Sequence, residues 1–201
     1  MDWYLAVMLF AASSTVTPGP NNIMIMSSGL NFGIRRSMPH LMGILVGFPL
    51  MFVAVGLGLV SVFIAMPQLH SFIQIAGVIY LLYFAWLVAT ADNIDIDSSG
   101  KKTIGFIQAA VFQWLNPKAW VMATGAFAAF ISADADPFVQ VLYITAIFAF
   151  VGLPMVFVWL LCGSFLSRHL KQPKSRQFFN RTMAMLLVIS ILPIIWGLVA
   201  S

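Results

Sequence analysis

Between residues 3 and 30 the chain carries no charged side chain, and five further stretches, 41–66, 72–91, 104–131, 139–165 and 183–200, are comparably apolar. About 20 apolar residues in a helix cross the ~30 Å hydrocarbon layer of a bilayer. That layer leaves no water to satisfy a backbone N–H or C=O, so the runs read as helical spans. Composition agrees. The 201 residues are 61% hydrophobic and 8% charged, against about 45–50% and about 25% in soluble domains. The expectation is an all-α integral membrane protein of six transmembrane helices, in one domain over 1–201. The longest connectors, 92–103 and 166–182, are too short for a soluble domain. The start of the chain holds Asp2 and no Lys or Arg, which argues for retaining 3–12 as mature structure over a cleaved signal peptide.

Basic residues orient the spans, since cytoplasmic loops collect Lys and Arg. Arg35 and Arg36 lie in the first connector and Lys101 and Lys102 in the third. The fifth holds Arg168, Lys171, Lys174, Arg176 and Arg181. The second and fourth connectors have none, and the fourth offers only Asp134 and Asp136. Nine of the ten basic residues thus fall on one side, which puts odd connectors in the cytoplasm and both termini outside. Basic residues placed beside apolar runs read as topology, not as a nucleic-acid patch. The cluster in the fifth connector also suits contact with anionic membrane lipids.

Two of the six runs are interrupted, and they open the two halves of the chain. TPGPN at 17–21 breaks the first run and QWLNPK at 113–118 breaks the fourth. Three spans followed by three spans place the halves, 1–95 and 96–201, in opposite orientations. Paired Gly/Pro interruptions at corresponding places mark a transporter site at an inverted-repeat interface. The expected architecture is therefore a 3+3 inverted repeat with its first and fourth helices broken, Pro49 and Pro154 being loosely equivalent in the second spans. One proline alone would read as a kink held by neighbouring helices. Five poor helix formers in a row, echoed in the other half, read as a site.

A broken span frees backbone groups, which survive only against protein or a wet cavity. Half-helix N-termini there favour an anion such as a carboxylate. Asn21, Asn22, Gln113 and Asn116 add amides that donate and accept, a set suited to a zwitterion. Lys118 sits mid-run, where a Lys costs roughly 2.5–3.5 kcal/mol on insertion scales, and the sequence offers no acidic partner inside a span. Either it snorkels or bonds carbonyls freed by Pro117, or it faces the cavity and meets a substrate carboxylate. The candidate substrate-binding set is Thr17, Pro18, Gly19, Pro20, Asn21, Asn22, Gln113, Asn116, Pro117 and Lys118. Gly33, Arg35, Arg36 and His40 form a candidate cytoplasmic mouth, where His40 could carry a proton.

Other features read as structure. Gly29/Gly33 and Gly43/Gly47 have the spacing of close helix packing. The 12 Met residues fill core space, Cys162 is a core position, and His70 and His169 end spans. Neither metal nor cofactor is expected. A membrane enzyme would need a nucleophile–base pair or carboxylate cluster, which the span interiors lack. A passive channel would call for a ring of subunits instead of one internal repeat.

TPGPNN, GIRRSMPHLMGILVG at 33–47, AGVIYLLYFAW at 76–86 and LNPKAW at 115–120 together resemble the LysE/RhtB family of amino-acid exporters. The resemblance extends through four of the six runs. TPGPNNI, Ser37 and the Ala85–Trp86 pair are most similar to the cysteine/O-acetylserine exporter branch, whereas Pro39–His40 stands where small or apolar residues are usual. The resemblance implies an inner-membrane exporter of amino acids or close derivatives, driven by the proton gradient. It maps family motif positions onto Thr17, Pro18, Gly19, Pro20, Asn21, Gly33, Arg35, Asn116, Pro117 and Lys118. The expected partners are a small amino-acid substrate, membrane lipid and protons, with room for a homo-oligomer.

Overall fold

Proline sets where most of the helices begin. A computed structural model describes residues 2–59, 65–90, 103–132, 135–170 and 172–200, and these form helices and connecting turns with no strand. The helices are α1 (Trp3–Val16), α2 (Pro20–Ala54) with a π-helical turn at Val55–Leu59, α3 (Pro67–Ala89), α4 (Phe106–Leu115), α5 (Pro117–Phe130), α6 (Pro137–His169) and α7 (Pro173–Ala200). Five of the seven start on proline, whose missing N–H costs nothing in a first helical turn. The connector 92–102, with Lys101 and Lys102, lies outside the described residues, as do Asp134, Lys171 and the side chain of His70.

Helix α2 is two limbs joined at a reversal. Gly33 has φ 73° and ψ 175°, a region open essentially to glycine alone. Twelve residues of straight helix would span about 18 Å, yet Ser28 Oγ and His40 Nδ1 are 2.9 Å apart. The limb 20–32 therefore folds back along the limb 34–54. This corrects two expectations. The second helix begins directly after Gly33, not at residue 41, and Gly33 is a turn residue, not half of a packing pair with Gly29.

Glycine contacts fix how closely the helices approach. A methyl group at Gly29 would meet the Leu160 carbonyl of α6, and one at Gly163 would meet the Met26 carbonyl of α2. Gly43 and Gly47 lie in the same way against the Phe106 and Ala110 backbone of α4, so this pair does pack helices. Two apolar clusters result. In one, Val7, Phe52, Ala123, Phe127 and Phe148 join α1, the end of α2, α5 and α6. In the other, Ile25, Ile44, Leu81, Phe112, Leu160 and Leu187 join both limbs of α2 to α3, α4, α6 and α7. Helices α2 and α6 run through both clusters; α1 and α5 belong to one, α4 to the other. The junctions α1/α2 and α4/α5 fall where the clusters meet.

Among the described residues three stretches are long and apolar enough to cross a membrane, Ser71–Ala89, Pro137–His169 and, within Pro20–Gly58, the limb after Gly33, and Trp3–Val16 and Phe106–Leu115 are shorter apolar helices. Large apolar side chains such as Ile79, Trp86, Phe150 and Trp196 cover the outside, as lipid contact requires. Cys162 is exposed on this surface, not in the core.

Candidate functional site

Helix α1 ends at Val16 with its last carbonyls short of helical partners, and two side chains from elsewhere supply them. Asn22 Nδ2 donates to Thr15 O and to Thr17 O, each at 2.9 Å. Lys118, on the first turn of α5, donates from Nζ to Thr17 O at 2.6 Å, Thr17 Oγ1 at 2.7 Å and Pro18 O at 3.4 Å. A cation at the negative end of a helix is favourable in its own right. The lysine reaches there because Gly19 has no side chain: a Cβ on Gly19 would lie 2.6 Å from Lys118 Cδ and 3.1 Å from Nζ. Gly19 is extended, at φ −170° and ψ 175°, so the glycine serves this close approach and not a special backbone angle.

The two junctions are joined a second time by an amide pair. Asn21 Nδ2 donates to Gln113 Oε1 at 2.6 Å, and Gln113 Nε2 donates back to Asn21 Oδ1 at 3.1 Å. Gln113 is fully buried and also donates to Ala109 O at 2.8 Å. The N-termini of α2 and α5 differ. Asn116 Oδ1 accepts from the Lys118 backbone N–H at 3.2 Å and caps α5. The α2 N-terminus has no side-chain cap, so its first N–H groups remain available to an anion.

Both features open onto one cavity. Gly19, Asn21, Asn22, Asn116, Lys118 and Thr15 form its polar end; Ile44, Leu45, Phe48, Met122, Phe148 and Val156 form its apolar walls. Its volume is about 60 Å³, above what a cavity needs to hold water. Among the described residues no acidic side chain lines it.

The structure thus gathers Thr17, Pro18, Gly19, Asn21, Asn22, Gln113, Asn116 and Lys118 at the paired junctions. Gln113 lies behind Asn21 instead of on the cavity wall, and Pro20 and Pro117 each open a helix. Lys118 combines the two sequence readings. It bonds carbonyls, though those of Thr17 and Pro18 and not those beside Pro117, and it also lines the cavity. The four mouth candidates do not join this site. Gly33 forms the reversal, and Arg35 and Arg36 are exposed just beyond it. His40 is wholly buried, not solvated at a mouth. The apolar wall escaped sequence reasoning; its only signal was the helical spacing of Ile44–Phe48 and Phe148–Gly152 within uniformly apolar runs. Among the described residues no group of three His, Cys, Asp or Glu side chains comes together as metal ligands.

The family model described as LysE type translocator matches residues 12–191, most of the chain and all of this site. The chain belongs to that family. It is a membrane translocator, a transporter and not an enzyme. Curated proteins agree in kind. The cysteine/O-acetylserine efflux protein of Escherichia coli (strain K12) is 29% identical over 179 residues, covering 87% of this chain and 88% of that protein. The proteins of the same name from Shigella flexneri and Shigella sonnei (strain Ss046) are similar to the same degree. No solved structure matches the chain.

Proposed function

We propose that this LysE-family translocator exports small amino acids with uncharged side chains, such as cysteine or O-acetylserine, across the cell inner membrane by alternating access. The observation that carries the reading is the cavity at the paired junctions, where Lys118 and the uncapped α2 N-terminus meet amides and helix-end carbonyls. In the empty site the Lys118 ammonium occupies Thr17 O and Oγ1, acceptors that suit a substrate ammonium equally well. An entering zwitterion takes those acceptors with its own ammonium and offers its carboxylate to the released Lys118 and the α2 N–H groups. Asn21, held by Gln113, orients the carboxylate. The apolar walls receive the side chain, and a cationic side chain finds no counter-charge there. The curated relatives named for cysteine and O-acetylserine efflux support this cargo class.

In this reading α1 with the first limb of α2, and α4 with α5, are the broken first and fourth spans of a 3+3 inverted repeat. The termini face outward, and the proton gradient drives export. The test is counterflow of radiolabelled O-acetyl-L-serine in proteoliposomes. Lys118→Ala and Asn21→Ala are expected to lose most of the wild-type rate while remaining folded. Wild-type rates in both variants exclude this site.

A further inference from the structure

The titratable group of the substrate site, Lys118, is bonded at Thr17 and Pro18 and assigned to the substrate carboxylate, and the described acidic residues, Asp2 and Asp136, lie at helix ends. We propose that His40 is the proton-binding residue of this carrier, sited between the substrate cavity and the Gly33 reversal. The proposal rests on the proton-driven reading above and names the residue that performs it.

Geometry makes the case. His40 is fully buried on the second limb of α2, where its Nδ1 meets Ser28 Oγ of the first limb at 2.9 Å and its Nε2 has no partner. Residues one and two helical turns along the same face, Ile44 and Phe48, are cavity wall. Ser28 lies six residues beyond Asn22, about 9 Å along that limb. His40 is therefore outside the cavity but joined to it through both limbs, one carrying the polar end and the other the apolar wall.

Buried polar groups ordinarily find partners, and orphans call for an explanation. Here Nε2 of His40, Oδ1 of Asn31 and Oγ of Ser27 are all buried without one. Asn31 is one turn on from Ser28, so an unpartnered acceptor sits close by in the fold to an unpartnered imidazole nitrogen. A neutral imidazole accepts from Ser28 at Nδ1. With Ser28 as donor the neutral ring carries its hydrogen on Nε2, which has no partner; the entering proton binds Nδ1, which then donates to Ser28 Oγ, and in the charged ring the Nε2–H needs an acceptor more strongly. Asn31 Oδ1 supplies that acceptor if the limbs shift against each other. One N–H bond forms when the proton enters and breaks when it leaves, with no other covalent change.

The surrounding charges leave this task to His40. Of the elements packed against α2, α3 carries His70, Tyr80 and Tyr83, α4 carries no titratable residue and α5 carries Lys118, bonded at Thr17 and Pro18. Helix α6 carries Tyr143, Cys162, Arg168 and His169. Helix α7 carries Lys174, Arg176 and Arg181, with Arg176 Nη2 donating to Leu30 O at 3.2 Å. Arg35 and Arg36 are on α2 itself and exposed. None of these is a carboxylate, so no permanent ion pair holds the proton in place, as a coupling residue that must release it requires.

The experiment compares wild type, His40→Gln and Ser28→Ala reconstituted in proteoliposomes with radiolabelled O-acetyl-L-serine. Gln keeps a hydrogen bond to Ser28 but cannot titrate. His40→Gln is expected to retain counterflow and to lose accumulation driven by an imposed pH gradient; Ser28→Ala is expected to keep that drive with its pH profile shifted. Gradient-driven accumulation by His40→Gln at the wild-type level overturns the assignment. If His40→Gln is inactive in both assays, an unshifted Ser28→Ala profile overturns it and a shifted one supports it. Wild-type counterflow with no response to the gradient removes proton drive and His40's role together, and leaves the substrate site standing.

Discussion

Gly19→Ala isolates the role of Lys118 without touching the lysine. At φ −170° and ψ 175° the position accepts any L-residue, so the variant suffers no backbone strain. Its methyl group, however, would lie 2.6 Å from Cδ, 3.1 Å from Nζ and 3.4 Å from Cε of Lys118. A lysine stem is flexible, so the side chain withdraws and the fold survives. What is lost is the ammonium's place beside Thr17 and the α2 N-terminus. A hydrogen bond to a charged group contributes about 1.5–3 kcal/mol, and removing one such interaction with the substrate weakens half-saturation about 10- to 150-fold. The assay is the concentration dependence of O-acetyl-L-serine counterflow, with thermal stability measured in parallel. Lys118→Met should produce a deficit of similar size, and the Gly19→Ala/Lys118→Met double variant should be no worse than Lys118→Met alone, because both changes remove one interaction. Wild-type half-saturation in Gly19→Ala, or additive losses in the double variant, would refute the reasoning.

Three further outcomes follow from the same contacts. Asn21→Leu leaves the buried Gln113 Oε1 without its donor and should lower stability by about 1–3 kcal/mol; adding Gln113→Leu should return part of that loss, read as melting temperature in detergent. Gly33→Ala meets no neighbouring atom but must hold a glycine-only conformation at a cost of about 1–3 kcal/mol, and Gly33→Asn should melt no higher than Gly33→Ala. Phe48→Ala removes part of the apolar cavity wall, so leucine should become a competitor of O-acetyl-L-serine counterflow in this variant and not in wild type.

The polar residues of the candidate site were legible because lipid makes them conspicuous. TPGPN and NPK interrupt apolar runs, and the structure pairs Asn21 with Gln113 and Thr17 with Lys118 across the two interruptions. Which atoms meet was not legible. Nothing local says that Lys118 reaches the carbonyls just after α1 instead of those nearest to it, since that depends on how α5 packs and on the space left by Gly19. Gly33 was misread for a similar reason: a glycine four residues from another has packing spacing whether it lies in a helix or ends one. His40 follows two arginines in sequence, which suggests solvent. The reversal at Gly33 instead turns it inward against Ser28. The cavity wall was hidden by uniformity, because Phe48 and Phe148 look like any other apolar residue in runs where nearly every residue is apolar.

The hold that α1 keeps on Lys118 bears on stoichiometry. A carrier whose binding site is left with an uncompensated charge when empty cannot easily move that site through the low-dielectric interior. Such a carrier must return loaded and trades one cargo molecule for another. In the proposed site the empty state is already solvated from within, with Thr17 and Pro18 around the ammonium and Asn22 on the neighbouring carbonyls. In the proposed cycle the protein can then return with a proton and no second amino acid, and the result is net outward flux in place of one-for-one amino-acid exchange.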